Sequence, residues 1–170
     1  MDKKTGLFWL RDDFRLSKNK GLIEATINHD EVVAFYLYKK KTYQNQEAQK
    51  WWLSKSLYNF KKKLNNFNIN LEVIETESFK VFFEKLLKKK DFAIYWNKVY
   101  EPDYLKFDDH LQTTLMSKNI YHKICKGNAL NEINEINKND GTPFKVFTPF
   151  WRTAEKHYVE KIPSKEKKIK

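Results

Sequence analysis

A chain of 170 residues with 41% hydrophobic and 16% aromatic content is sized for one domain with a single core, which excludes disorder over most of its length. Its net charge of +11 points toward polyanions, yet lysine dominates and arginine is confined to Arg11, Arg15 and Arg152. The runs Lys39–Lys41, Lys61–Lys63 and Lys88–Lys90 therefore read mainly as solvated surface, with weak, salt-sensitive, sequence-independent DNA binding at most.

Cys125 is the single cysteine, so an internal disulfide is excluded. No apolar run reaches membrane-span length, and no continuous apolar stretch precedes Arg11, so neither a membrane anchor nor a signal peptide is expected. A monomer in the reducing cytoplasm fits these features.

The first predicted strand is 5–10 (TGLFWL). A short helix follows over about 20–28, then a strand at 32–38, rich in β-branched and aromatic types. Leu53, Leu57, Phe60, Leu64 and Phe67 alternate steps of four and three, the apolar stripe of a long helix starting near residue 46. A strand at 70–74 precedes a helix carrying Phe79, Phe82, Phe83, Leu86 and Leu87, with Ser78 placed to cap it. A strand at 91–96 leads to Pro102, which suits a first helical turn. A weaker strand is predicted at 119–124. Several strands are continuously apolar, the pattern of a sheet covered on both faces. Strands alternating with helices imply βαβ units and parallel pairing.

The rhythm breaks after Cys125. Asp140-Gly141-Thr142-Pro143 marks a turn, and Thr148-Pro149 starts a final helix through Trp151 and Ala154. The organisation read from this is an α/β core over 1–125, a closing segment over 126–160, and a lysine-rich tail or linker start over 161–170.

Open parallel sheets take ligands beyond the carboxyl ends of their strands. Three segments fall there: Arg11–Arg15, Tyr36–Tyr43 and Asn97–Pro102. Asn97 both donates and accepts, and Glu101 accepts, so the third segment suits the edge of a heterocycle. The same residues also suit a strand end and a helix cap. Asp108 falls on an inward stripe with Tyr104, Leu111 and Leu115, and needs Arg11 or Arg15 as a partner. No Gly-rich dinucleotide fingerprint, phosphate loop, serine elbow or metal-spaced histidine set is present. No catalytic residue and no metal ligand is assigned.

Four motifs, in order, resemble the DNA photolyase/cryptochrome family. They are Trp9-Leu10-Arg11-Asp12-Asp13-Phe14-Arg15-Leu16 with Asn19 and Leu22; Trp52-Leu53 with Ser56 and Leu57; Asn97 with Tyr100-Glu101-Pro102 and Asp108; and Gly141 through Trp151. Lys50 stands where the family commonly has arginine, and Phe107 replaces an arginine before Asp108. The resemblance implies a Rossmann-like five-stranded parallel sheet in order 3-2-1-4-5 with helices on both faces. It implies an antenna domain for a folate or deazaflavin pigment, in a protein whose helical domain binds FAD and damaged DNA. That helical flavin domain is absent from these residues, so the chain alone is expected to be inactive. A light-sensing cryptochrome, or a structural domain that has lost its pigment, is the alternative. The pigment is expected over strands one, two and four, framed by Arg11 and Asp13, closed by Tyr36 and Lys50, met by Asn97 and Glu101, and rimmed by Tyr100.

Overall fold

The structure is a computed structural model that describes residues 4–43, 45–89, 91–127, 129, 132 and 135–157. They fall into two compact units that divide after Gly127. The lysine-rich stretch 161–170 lies outside the described residues.

The first unit runs β1 (Thr5–Leu10), α1 (Lys20–Asn28), β2 (Val32–Tyr38), a 3-10 turn (Lys40–Tyr43), α2 (Glu47–Asn65), β3 (Asn70–Glu75), α3 (Phe79–Leu86), β4 (Phe92–Asn97), α4 (Pro102–Ser117) and β5 (His122–Cys125). The sheet order is β3-β2-β1-β4-β5. All four pairings are parallel, as the alternation of strands and helices predicts. All six residues of β4 are buried, which explains its apolar run up to the closing Asn97.

Pleating sends alternate side chains to opposite faces of the sheet. Phe8, Leu10, Ala34, Tyr36, Ala93 and Tyr95 form one core with Leu22 and Ala25 of α1 and with Leu57, Phe60 and Leu64 of α2. Trp9, Phe35, Leu37, Ile94 and Trp96 form the other with Phe83, Leu111 and Leu115 of α3 and α4. Helices therefore cover both faces.

Element ends follow local chemistry. Asn19 caps α1 by accepting from the Leu22 amide at 3.2 Å, and the Ser78 hydroxyl accepts from the Val81 amide at 3.2 Å. Two expectations shift. Phe67 falls beyond α2, which ends at Asn65, and Asn68 then turns left-handed at φ 57°. β5 starts at His122 rather than residue 119, because Asn119 is left-handed at φ 55° and closes α4. Asparagine tolerates that conformation better than most residues.

The second unit is described by itself. Asp140 accepts from the Thr142 amide at 2.9 Å and its hydroxyl at 2.6 Å, and Gly141 takes φ 79°. Helix α5 (Phe147–His157) follows, with Pro149 in its first turn and the Phe147 and Trp151 rings stacked at 6.2 Å. Among the described residues no helix is long and apolar enough to cross a membrane.

Gly21 makes the tightest approach of α1 to the sheet. A Cβ there would lie 2.8 Å from Asn97 Oδ1 and 2.9 Å from the Phe8 ring. Gly→Ala inside a helix ordinarily stabilises by about 0.5–1 kcal/mol. At Gly21 the sign should reverse, with Gly21→Ala losing about 1–3 kcal/mol from overpacking. Urea unfolding of both proteins checks this, and a more stable variant would show that the packing is loose.

Candidate functional site

The carboxyl edge of the sheet is organised by two buried polar clusters. Arg11 follows β1 directly and is buried. Its guanidinium donates both terminal nitrogens to Asp108, Nη1 reaching Oδ2 at 3.1 Å and Nη2 reaching Oδ1. The Trp96 indole N–H donates to the same Oδ2 at 3.1 Å. The guanidinium carbon lies 4.0 Å from the Trp9 ring centre and 5.1 Å from that of Tyr104. Arg11 Nε has no acceptor among the described residues, so aromatic faces supply the remaining stabilisation. Asp108 thus chooses Arg11, while Arg15 forms a fork with Asp13 at 2.7 and 2.8 Å.

The second cluster joins β4 to α1. Asn97 Oδ1 accepts from the Gly21 amide at 2.8 Å, and its amide group donates to Asn19 Oδ1 at 2.8 Å and toward Asp13 Oδ2 at 3.5 Å. Asn19 in turn donates to the Arg15 carbonyl at 2.9 Å. The first amides of α1 are thereby occupied by side chains, which removes the phosphate cradle that a helix N-terminus otherwise offers.

The structure therefore distributes the seven sequence-derived site residues. Arg11 and Asn97, expected to meet a pigment, are buried, with the Arg11 terminal nitrogens and the Asn97 amide committed to protein partners, because each anchors an element end. Asp13 is held by Arg15 and joins the Asn97 cluster. Tyr100 is half-buried, with the Lys98 ammonium 5.6 Å from its ring centre. Glu101 is exposed at the N-cap position of α4, and its side chain makes no capping bond. Burial pushes the Asp12 carboxyl above its ordinary range; the Glu101 carboxylate adds to this and Arg11 opposes it.

Tyr36 and Lys50 line two different cavities. Tyr36 contributes to one of about 360 Å³ at the end of β2, against Ser78, Phe79, Tyr104 and Phe107. Lys50 contributes to a groove of about 880 Å³ between α2 and the edge strand β3. Tyr38, Leu53, Leu57 and Val73 give the groove an apolar wall, and its charged lining is mixed, with Lys41, Lys50 and Lys61 beside Glu47 and Glu75. Tyr38 is pinned by its hydroxyl, which donates to Glu75 at 2.9 Å. Sequence reasoning missed Lys41 and Lys61 because lysine runs look solvated. The available signal was Lys50, Ser54 and Lys61, which recur on one flank of α2. Among the described residues no acidic, histidine or cysteine cluster could hold a metal ion.

The fold is that of an α/β domain with a parallel sheet of order β3-β2-β1-β4-β5 covered by helices on both faces. The DNA photolyase family model matches residues 6–167, and the chain belongs to that family. It is 27% identical over 149 residues to the deoxyribodipyrimidine photo-lyase of Agrobacterium fabrum, covering 88% of this chain and 31% of the relative. To Cryptochrome-1 of Arabidopsis thaliana it is 24% identical, covering 85% of this chain and 22% of that protein. The crystal structure of a bacterial class III photolyase from Agrobacterium tumefaciens superposes with TM-score 0.81 at 26% identity, covering 91% of this chain and 32% of that one. The crystal structure of the archaeal photolyase from Sulfolobus tokodaii, which holds two FAD molecules taken to imply a novel light-harvesting cofactor, gives TM-score 0.75 at 23% identity, covering 91% of this chain and 35% of that one. The chain thus spans about a third of the length of the photolyases it matches.

Removing one partner of the Arg11–Asp108 pair leaves a buried charge unmatched. Asp108→Ala should lose about 3–5 kcal/mol of unfolding free energy, whereas Arg11→Met with Asp108→Leu should recover much of it. A denaturant series on the three proteins checks this. Equal losses in the single and double variants would mean that shape rather than charge pairing holds the site.

Proposed function

We propose that this chain is the light-harvesting α/β domain of a deoxyribodipyrimidine photolyase. In this reading it holds a flat antenna pigment of the folate or deazaflavin type. A helical domain corresponding to the remainder of the relatives' length holds FAD and engages damaged DNA. The pigment would supply light absorption and energy transfer to that flavin, and cleavage of the pyrimidine dimer belongs to the flavin domain. The chain alone has no catalytic role. The structural likeness to a class III photolyase, at TM-score 0.81, supports repair over light sensing.

The observation that carries the pigment reading is the groove of about 880 Å³ beside α2. It lies within the size range of small-molecule sites. Its apolar wall suits a conjugated ring, and Lys41, Lys50 and Lys61, which outnumber the lining acids Glu47 and Glu75, suit the carboxylates of a tail. In this reading Lys50 touches the pigment, while Arg11, Asp13 and Asn97 act through the frame they build. Tyr36 lines the adjoining smaller cavity, and Tyr100 and Glu101 supply polar groups at the end of β4. The protein's task is to orient the pigment and shield it from water, because the photochemistry belongs to the pigment.

Titration of the chain with methenyltetrahydrofolate and with a deazaflavin, followed by pigment absorbance, tests the reading. Saturable binding of one of them is expected, and Lys50→Met should weaken a folate by about 1 kcal/mol or more. Failure of both pigments to bind would leave a structural domain, and an unchanged Lys50→Met affinity would take this groove out of the site.

A further inference from the structure

The outer face of α2 carries a pattern that meets the pigment groove only at Tyr58, on the groove's rim. Trp51, Lys55, Tyr58 and Lys62 are spaced four, three and four residues apart, so they form one stripe along the helix. The rings face solvent: Trp51 is 60% exposed, Tyr58 58%, and the adjoining Trp52 68%. Each stripe ring has a cation on it, with Lys55 Nζ 5.8 Å from the Trp51 centre and Lys62 Nζ 4.6 Å from that of Tyr58. Trp51 and Trp52 lie 6.3 Å apart, tilted by 38°. Solvent-facing tryptophans are unusual without a partner, since they leave large apolar area in water.

The charge on this helix narrows the partner. Helix α2 holds five lysines against one acid, Glu47, which lies a full turn before Trp51. An apolar protein partner would have to desolvate those ammonium groups, whereas a polyanion neutralises them and releases counterions. Flat rings alternating with cations match one polyanion in particular. Unpaired bases stack on aromatic faces while the backbone phosphates meet the lysines. A duplex keeps its bases stacked on each other and offers the rings nothing.

We propose that the Trp51–Lys55–Tyr58–Lys62 face of α2, with Trp52 beside it, is a docking surface for single-stranded nucleic acid, bound by base stacking and phosphate contacts without sequence preference. Such docking requires no bound pigment.

The test is fluorescence anisotropy of a labelled oligothymidylate titrated with the whole 170-residue chain, its Trp51→Ala/Tyr58→Ala variant and its Lys55→Gln/Lys62→Gln variant. All four positions are on the outside of α2, and circular dichroism confirms that each variant keeps its helices. Removing the two rings should weaken binding about tenfold or more at fixed salt. Removing the two lysines should lower the slope of log affinity against log salt by about 1.4, at about 0.7 per phosphate contact. The parent should prefer the single strand to the corresponding duplex. Equal affinities for parent and ring variant would overturn the proposal, as would a preference for duplex. So would a stripe whose variants lose binding only to phosphatidylserine vesicles, because the surface would then be a membrane contact.

Discussion

A guanidinium buried against a carboxylate at the end of the first strand sets the geometry of the sheet's carboxyl edge. Arg11 leaves β1, Asp108 sits midway along α4, and Trp96 ends its run on β4 against the same carboxylate oxygen. Three elements distant in sequence are thereby pinned at one point. A buried ion pair recovers its desolvation cost only when its geometry is good and its remaining groups are matched. Here the fork is two-pronged, the indole adds a third donor, and the Trp9 and Tyr104 faces close on the guanidinium. That aromatic shell explains how one domain accommodates so many large rings near a charge.

The Asn19–Asn97 cluster has a functional consequence. In many doubly wound sheets the helix after β1 presents bare amides to a phosphate. In this chain Asn19 and Asn97 fill those positions, and Gly21 lets the helix descend onto the strand end. The route to a nucleotide-type site at that point is closed by protein groups. The open concavity is displaced to the flank of α2, where ring surface and lysines are available.

Much of this was readable in the chain, for physical reasons. Apolar runs such as FAIYW within the strand predicted at 91–96 announce a strand buried on both faces, and the four-three spacing of Leu53, Leu57, Phe60 and Leu64 announces a helix lying on a sheet. Asp108 on an inward stripe announced its need for an arginine, although only the structure chooses Arg11 over Arg15. Residues whose role depends on what remains after packing were harder to read. Arg11 and Asn97 have the chemistry of ligand contacts, but the Arg11 terminal nitrogens and the Asn97 amide bond to protein groups, and no spacing rule reports that. Lys41 and Lys61 had the opposite problem. Their runs look like ordinary solvated charge, and only the placement of α2 against β3 gives them an apolar wall to surround. The short fifth strand was displaced because the left-handed turn at Asn119 is a backbone event that hydropathy does not register.

The central claim is that the ligand of this domain lies along α2 and not at the α1 terminus. Mapping amide chemical shifts while methenyltetrahydrofolate is added to the isotopically labelled chain addresses it directly. The account predicts the largest changes at Tyr38, Lys50, Ser54, Lys61 and Val73, with Gly21 and Leu22 nearly unmoved because their amides already bond to Asn97 and Asn19. Changes centred on Gly21 and Leu22, with the α2 groove silent, would contradict it.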